Sequence, residues 1–307
     1  VGYAEASHIK NIVINNVDIT GNAFIGGAVG SLEGVPRVFE NVGVTAYVHT
    51  SSNYGYVGGA LGQAYTPDAN TTYDCSPYTG NDIIAGDQSI SIAKTVVSGS
   101  IQDDGVNFGG FYYGGVAGAI WNDLDGSSET MNDSHFCGSI DLTPNAPYGV
   151  GGVVGYIQAA STGFVSQSID NCSASASLYF SDVNGASSVG GIAGYVQAND
   201  LSVSNSHANV DMDFYLYNGS STCFAGSGCT VDTTGWTDEI GGLLGALYFN
   251  NFANISNSYF SGEIYADQSG VSGIGGLIGV NSGDGNNLFL SNSFSDGSIS
   301  VSYTHLT

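Results

Sequence analysis

Asp103 and Asp104, in the string QDDG, are residues whose type and spacing could support catalysis. Two neighbouring carboxylates can divide the roles of general acid and general base in the hydrolysis of a glycosidic bond. A lyase would instead need a basic residue, and the sequence contains only Lys10, Arg37 and Lys94. Because no histidine or basic string accompanies the aspartates, a solvated polar turn is the favoured interpretation and catalysis is the alternative.

The five histidines are isolated from one another along the chain. A zinc protease needs His-Glu-x-x-His on one helix, and no histidine here precedes a glutamate. The sequence also lacks the Gly-x-Ser-x-Gly turn of hydrolases and the Gly-Lys-Ser/Thr string of phosphate-binding loops. The histidines are His8, His49, His135, His207 and His305.

Calcium is the metal that the sequence favours most. The strings WNDLDGSSE, at 121–129, and NSGDGNN, at 281–287, carry the hard oxygen ligands that calcium prefers. Neither string has the spacing of an EF-hand, since the first and twelfth positions would be Trp121 and Asn132. An ordinary Asp/Asn/Gly turn is therefore the default interpretation, bound calcium is the alternative, and no other cofactor is expected.

The five cysteines contain no Cys-x-x-Cys pair, so neither zinc binding nor thioredoxin-like chemistry is indicated. Cys223 and Cys229 lie in the glycine-rich string STCFAGSGCT, where they could form a disulfide in an oxidising compartment. Cys172 replaces a small serine of the repeat described below and is predicted to be a buried, inert thiol. Cys137 is predicted to face outward, and Cys75 has no evident partner.

The charge balance excludes several classes of partner. Three Lys and Arg residues stand against 27 Asp and Glu, which gives a formal net charge of −24. A nucleic-acid groove and an anionic membrane surface both require clustered basic residues, so neither is an expected partner. No apolar run reaches the roughly 20 residues that a membrane-spanning helix needs. The opening string reads as a fragment or mature segment, and 302–307 reads as a doubtful tail.

A glycine-rich string recurs seven times, and EIGGLLGALYFN at 239–250 is one of its best copies. Recurrence at a fixed period is the signature of a repeat fold. Glycines at the same aligned position of every repeat indicate bends and close approaches of the backbone. The glycine pairs include Gly58 and Gly59, Gly151 and Gly152, Gly190 and Gly191, Gly241 and Gly242, and Gly275 and Gly276.

A second string alternates with the first and is aligned on one residue, which we call the anchor. Apolar residues lie two positions before the anchor and three and seven positions after it. Offsets of −2 and +3 have opposite parity, so the inward face must switch and the chain must bend there. Asparagine suits such a bend, and stacked amides could form a buried hydrogen-bonded ladder. The anchors are Asn16, Asn41, Lys94, Asp133, Asn171, Asn205, Asn257 and Asn292.

These patterns predict an all-β fold, a single-stranded parallel β-helix (β-solenoid) over residues 1–301. A period of about 35 residues and in-register apolar columns favour about seven to eight coils. A flexible glycine-rich linker has no such columns, and a β-sandwich does not explain the period. Both remain less favoured alternatives.

Two long insertions interrupt the repeat, at 63–80 and 213–236. Their Tyr, Ser, Asn and Gly content is typical of adaptable recognition loops, although neutral loop growth is the slightly favoured explanation. We therefore expect any contact with glycans or a host or neighbouring cell surface to lie there. The candidate contact residues are Tyr65, Tyr73, Tyr78, Tyr215, Tyr217 and Trp236.

The strings VGGVVGYI, IGGLLGAL and IGGLIGVN, together with ISNSYFSGEI and LSNSFSDGSI, resemble GLUG-motif repeats. Such repeats occur in large bacterial surface and secreted proteins, including adhesin-like proteins and some immunoglobulin-cleaving zinc metalloproteases. The resemblance covers about 14–299 and implies an extracellular or cell-surface β-helix. We therefore expect a non-catalytic scaffold that acts as a spacer or adhesive segment; the alternative is a carbohydrate-active β-helix enzyme, a lyase or hydrolase.

Overall fold

The computed structural model describes residues 2–5, 8–33, 37–50, 55–66, 89–103, 111–122, 128–142, 147–159, 166–181, 187–215, 237–267, 271–282 and 287–301. In these ranges every regular element is a β-strand. The first fourteen strands are β1 (Tyr3–Glu5), β2 (His8–Gly21), β3 (Phe24–Gly26), β4 (Val29–Glu33), β5 (Arg37–Thr50), β6 (Gly55–Gly58), β7 (Leu61–Thr66), β8 (Ile90–Asp103), β9 (Phe111–Gly114), β10 (Ala117–Asn122), β11 (Ser128–Asn132), β12 (His135–Leu142), β13 (Gly149–Gly151) and β14 (Val154–Ala159). The others are β15 (Ser166–Asp170), β16 (Ser173–Ser181), β17 (Ser187–Gly190), β18 (Ala193–Ser204), β19 (His207–Tyr215), β20 (Thr237–Gly241), β21 (Leu244–Ser256), β22 (Tyr259–Ser261), β23 (Glu263–Asp267), β24 (Val271–Gly275), β25 (Ile278–Asn281), β26 (Leu288–Ser291), β27 (Phe294–Ser295) and β28 (Ser298–Val301).

Parallel pairing joins these strands into four ladders that follow the order of the chain. The first, which we call the glycine ladder, is a seven-stranded sheet of β3, β6, β9, β13, β17, β20 and β24. The other three ladders belong to one 21-stranded sheet, because long strands such as β5 and β18 bend from one ladder into the next. The second ladder contains β4, β7, β10 and β14, the third contains β11 and β15, and the fourth contains β12, β16 and β19.

Successive segments from the four ladders make a repeat unit, and we number the units by their glycine-ladder strands. They are unit 1 (24–50), unit 2 (55–103), unit 3 (111–142), unit 4 (149–181), unit 5 (187–215), unit 6 (237–267) and unit 7 (271–301). Strands β1 and β2 precede unit 1 and pair with it. The predicted all-β fold with long parallel ladders is confirmed, and its strand order is compatible with a solenoid.

The core is made of apolar columns that run from unit to unit. The residues two positions before the anchors are at most 1% exposed in units 1 to 6: Phe39, Ile92, Met131, Ile169, Val203 and Ile255. The same column in unit 7 is Leu290, which is 52% exposed, and Ile299 of a second column is 45% exposed. Each unit is therefore buried by the unit that follows it.

The backbone bends at the anchors. All eight predicted anchor residues have φ between 48° and 55°, in the left-handed region that asparagine tolerates better than most residues. The side chains that face the core switch parity there. In unit 6, for example, Ile255 and Phe260, two positions before and three positions after Asn257, are both fully buried.

The assignment of Asn16 as the first anchor is wrong, because Asn11 stands in that column. Asn11 has φ of 57°, and the neighbouring pairs Lys10–Glu40 and Ile12–Val42 place it opposite Asn41. The register then shifts between Ile14 and Val17, so Asn16 lies in a bulge of β2. Both asparagines follow an isoleucine by two residues, and the alignment of the sequence alone could not separate them.

The predicted buried ladder of amides is instead exposed and interrupted. The Asn257 amide donates to Asn205 Oδ1 at 3.4 Å, and the Asn292 amide donates to Asn257 Oδ1 at 3.2 Å, both at the surface. The Asn205 amide donates to Asp170 Oδ1 at 2.8 Å rather than to Asn171. The anchor side chains therefore stabilise the stack less than buried amides would.

A buried row of hydroxyl groups lies one residue beyond the anchors. In unit 6 the Ser258 hydroxyl donates to the Ser256 carbonyl at 2.8 Å and accepts a hydrogen bond from the Ser206 backbone N–H at 3.2 Å. Ser134, Ser206 and Ser258 are all fully buried. These serine hydroxyl groups form hydrogen bonds with buried backbone groups at the bend beside each anchor.

The second glycine of each pair allows two faces of the stack to approach each other. A Cβ on Gly152 would lie 2.2 Å from the Gly191 carbonyl oxygen of the next unit and 2.5 Å from Ala174 Cβ across the core. The residue opposite is larger in other units, and a Cβ on Gly115 would lie 2.1 Å from Phe136 Cγ. Only a glycine fits between the neighbouring backbone and the facing side chain.

The insertions begin later than the sequence predicts. Tyr65 lies in β7, paired with Glu33 and Trp121, and Tyr215 lies in β19, paired with Ser181 and Asp267. These two tyrosines therefore belong to the ladders. The other predicted contact residues, Tyr73, Tyr78, Tyr217 and Trp236, lie outside the described residues, as do Cys75, Cys223, Cys229 and the tail at 302–307.

Candidate functional site

Asp103, the described member of the predicted acid pair, lies in the core. Its side chain is fully buried and accepts a hydrogen bond from the Tyr113 hydroxyl. Burial, and secondarily the Asp103 charge, raises the pKa of Tyr113 well above its ordinary value. Asp104 lies outside the described residues. Asp103 is thus placed to satisfy a buried tyrosine and cannot reach a surface substrate.

Two described residues of the first calcium string also face the core. Asn122 is fully buried, and Glu129, which is 3% exposed, accepts a hydrogen bond from the Gln167 amide at 2.7 Å. Residues 123–127, and 283–286 of the second string, lie outside the described ranges. Among the residues that the structure describes, no three His, Cys, Asp or Glu side chains are grouped to hold a metal ion.

The two described cysteines lie where the repeat pattern predicts, with Cys137 exposed and Cys172 buried, both as free thiols. Burial is the main cause that raises the pKa of Cys172 to about 12. We expect iodoacetamide to label Cys137 in the folded protein and Cys172 only after unfolding, since the thiolate is the reactive form. Peptide mass mapping with and without urea measures this. Equal labelling of both thiols without urea would contradict the placement of Cys172.

A row of aromatic rings runs along the outer surface and changes ladder midway. Phe24, Tyr56 and Tyr112 stack in the glycine ladder with ring centroids 5.6 and 5.5 Å apart. The row then passes to the second ladder, where Tyr156 lies 4.2 Å from Tyr112 and 5.2 Å from Tyr195. The change of ladder breaks the repetition of the surface between units 3 and 4.

The break follows from residue size in one column of the glycine ladder. After Tyr112 this column continues with Gly149, Ser188 and Glu239. A Cβ on Gly149 would lie 2.9 Å from Tyr112 Cδ1, so the Tyr112 ring leans over this glycine. The loss of aromatic side chains from this column leaves space beside Tyr156.

That space is a recess of about 330 Å³. Four tyrosines form much of its wall, and Ser187, Ser188 and Glu239 complete the lining. Tyr156 is 8% exposed, whereas Tyr148, at the rim, is 56% exposed. The four tyrosines are Tyr112, Tyr148, Tyr156 and Tyr195. We call this feature the tyrosine recess.

Glu239 is the acid in the lining of the recess, and its position is fixed by two hydroxyl groups. Its carboxylate accepts hydrogen bonds from the Ser188 hydroxyl and, at 3.0 Å, from the Tyr248 hydroxyl. Ser188 and Glu239 have φ of 57° and 64°, a conformation that costs roughly 1 kcal/mol or more for residues other than glycine. Gly273, the next residue of this column, has φ of 65°, so the left-handed conformation recurs along the column from unit to unit.

Three phenols in or beside the recess, those of Tyr112, Tyr195 and Tyr248, have raised pKa values. Burial raises the pKa of Tyr112 to about 12, and the neighbouring tyrosines add to the shift. Burial also raises the pKa of Tyr195, and the Glu239 charge contributes. The pKa of Tyr248 is raised to about 12, by burial first and then by its hydrogen bond to Glu239. The recess therefore presents neutral hydroxyl groups around one carboxylate.

Sequence reasoning missed this site. The available signal was the repetition of Tyr156 and Tyr195 in the strings GYIQ and GYVQ, directly after the last glycine of the repeat. The recess also depends on Gly149, whose neighbour across the units is Tyr112, 37 positions earlier in the numbering. Only the strand register brings these residues together.

Comparison of the chain with protein-family models, with curated proteins and with solved structures finds no match. The chemistry of the site follows from its own groups. A single carboxylate that already accepts two hydrogen bonds has no second acid in the lining with which to share acid–base work. The arrangement is suited to binding a hydroxyl-bearing ligand.

Proposed function

We propose that this chain is a β-solenoid of about seven coils built from GLUG-like repeats. Its function is that of a non-catalytic scaffold, a spacer or adhesive segment of a secreted or cell-surface protein. The observation that carries the proposal is the register of the fourth ladder, which runs without a shift from unit 1 to unit 7; the bulge at Asn16 lies before unit 1, in β2. One outward column runs from Thr20 through His49, Gln102, Asp141, Tyr179, Asp213 and Tyr265 to Ser300. Stacked pairing of this kind would hold Thr20 and Ser300 at a fixed separation.

The described side chains support a scaffold rather than a catalyst. Asp103 and Glu129, the described acids of the strings QDDG and WNDLDGSSE, are used inside the core. Most of the large side chains that the stack buries are apolar and recur in columns from unit to unit, and Arg37, which is 1% exposed, is a charged exception. The requirement for stable stacking is sufficient to explain both the buried acids and the apolar columns.

The proposed location is outside the cell, and the proposed partners are glycans or a host or neighbouring cell surface. The net charge of −24 disfavours nucleic acid as a partner. Across the described ranges, no helix is long and apolar enough to cross a membrane. Calcium bound by the strings at 121–129 and 281–287 is a further proposal. Labelling of intact source cells with an antibody against this chain would test the location.

The spacer role predicts a narrow distance between the two ends of the stack. Thr20→Cys and Ser300→Cys place spin labels seven strand spacings apart in one outward column, or about 34 Å. Thr20→Cys with Tyr179→Cys places the labels four spacings apart, or about 19 Å. Pulsed electron paramagnetic resonance, with the native cysteines replaced by serine, should give two narrow distributions in this proportion.

A flexible chain would give broad distributions, and a sandwich would give distances that do not scale with the number of units between the labels. Either result would overturn the spacer proposal. The circular dichroism spectrum of each labelled protein serves as the control, because it shows whether the substitutions preserve the strands.

A further inference from the structure

We propose that the tyrosine recess binds one neutral pyranose ring of a glycan, with Glu239 as the acceptor for its hydroxyl groups. The inference goes beyond the scaffold role, and it places glycan contact on the stack itself rather than in the two insertions. It rests on the size of the recess, the chemistry of its lining and the charge around it.

The recess has the size of a small-ligand site. Its volume of about 330 Å³ lies at the lower end of the range for such sites, roughly 300–1,000 Å³. The walls are fixed before binding, since Tyr156 is held between the rings of Tyr112 and Tyr195. A preformed wall lowers the entropy lost on binding.

The geometry of the rings favours a sugar over a cation. A quaternary ammonium group needs open aromatic faces. Here Tyr156 is covered on both sides by neighbouring rings, and Tyr195 stacks against Tyr156 and, with centroids 5.1 Å apart, against Tyr248. These rings therefore offer the recess mostly their edges and hydroxyl groups, which suit a polyhydroxyl ligand.

Tyr148 supplies the apolar part of the contact. It is 56% exposed at the rim of the recess. An exposed, rigid aromatic ring provides contact area at low cost in conformational entropy, because it has two side-chain torsions. Tyr148 can cover the apolar C–H face of a sugar whose hydroxyl groups reach inward.

Glu239 supplies the orientation. Its two oxygens accept one hydrogen bond each from Ser188 and Tyr248. An ionised carboxylate has about four acceptor positions, so two remain for hydroxyl groups of the ligand. Hydrogen bonds to an ionised acceptor are about twice as strong as those between neutral groups.

The surrounding charge selects a neutral ligand. No Lys or Arg follows Lys94 in the sequence, so units 3 to 7 carry no basic side chain of these types. An anionic sugar would meet Glu239 and the net negative charge of the chain without a counter-ion. A neutral hexose or pentose ring meets no such barrier.

The test uses affinity electrophoresis of the whole 307-residue chain in gels that contain a neutral polysaccharide. The neutral probes are laminarin, galactomannan, xyloglucan and yeast mannan, and the anionic probes are alginate and polygalacturonate. We expect at least one neutral probe, and neither anionic probe, to retard the protein. Tyr148→Ala and Glu239→Gln should each raise the dissociation constant by about tenfold or more.

Tyr47→Ala is the matched control, because Tyr47 is 53% exposed and lies in the fourth ladder of unit 1, away from the recess. It should bind as the parent protein does. If Glu239→Gln lowers the melting temperature, Tyr148→Ala decides the result, since that ring is largely exposed and removable without a core cavity.

Three results would overturn the proposal. They are no retardation by any neutral probe, equal retardation of the parent protein and the Tyr148→Ala variant, and retardation by the anionic probes alone. Loss of binding on replacement of residues 67–80 or 216–236 by a Gly-Ser turn, with Tyr148→Ala unaffected, would place the ligand in an insertion instead. The spin-label distances do not depend on any of these binding results. The scaffold proposal is therefore tested separately from the glycan proposal.

Discussion

A chain that lacks residues 149–187 is expected to fold, whereas a chain that lacks only residues 149–165 is expected to lose its fold. The first deletion removes β13 to β16, one member of every ladder, and joins Tyr148 to Ser188. In the intact protein the strand register places Ser188 opposite Gly149. In the shortened chain Ser188 therefore takes the position of Gly149. Unit 3 is then covered by unit 5 with every register preserved.

The smaller deletion is the more damaging because it removes β13 and β14 but keeps β15 and β16. Two ladders lose a strand while two keep theirs, so the stack cannot close over unit 3. Val116 and Ala117, both fully buried, would face water or a cavity, and the backbone groups paired with unit 4 would lose their partners.

Far-UV circular dichroism and urea unfolding measure the outcome. The chain without 149–187 should keep its β spectrum and a cooperative transition, because a stack of repeats owes its stability to contacts between neighbouring units. If both deletions unfold the protein, or if the smaller one is tolerated as well as the larger, the units are not interchangeable and the repeat account fails.

The corner of each unit could be predicted from the sequence because its cause is local. A switch of apolar parity around one residue requires a bend, and asparagine tolerates the left-handed region. The observed φ values at Asn171 and Asn257, 51° and 50°, agree with this. Even Lys94 and Asp133, which depart from asparagine, adopt the same conformation, so the stacked neighbours impose it.

The burial of single polar groups could not be predicted in the same way. The amides of Asn205 and Asn257 lie at the surface, whereas the hydroxyl groups of Ser206 and Ser258 lie inside. Both residue types suit a corner, and only the direction of the next strand decides which side chain meets the core. The bulge at Asn16 has the same origin, since its register is set by Asn41 of the next unit.

The tyrosine recess is even less accessible to sequence reasoning. Its wall contains Tyr112 of unit 3, Tyr156 of unit 4 and Glu239 of unit 6, and each occupies an ordinary position of its own repeat. The site exists because one column loses its aromatic residue while a different column gains one. A comparison of repeats column by column averages such differences away.

Gly242→Ala is expected to destabilise the protein by about 3 kcal/mol, the upper end of the usual range for overpacking. The added Cβ would lie 2.1 Å from the Gly276 carbonyl oxygen of unit 7 and 2.4 Å from Phe260 Cγ. Gly43→Ala is the matched control, because its Cβ would meet nothing closer than Val13 Cγ2 at 3.8 Å. That change should alter the free energy of unfolding by no more than about 0.5 kcal/mol.

The two clashes at Gly242 are separable. Gly152 and Gly191 face the small residues Ala174 and Ala208, yet a Cβ on either would still lie 2.2 or 2.3 Å from the carbonyl oxygen of the next glycine. The stacked backbone therefore imposes the glycine, whatever side chain lies opposite. Gly242→Ala should remain strongly destabilising when it is introduced into a Phe260→Ala background, as measured by urea unfolding against Phe260→Ala alone. If Gly242→Ala causes no loss of stability in the Phe260→Ala background, the facing Phe260 ring, and not the stacked backbone, is what requires glycine at this position.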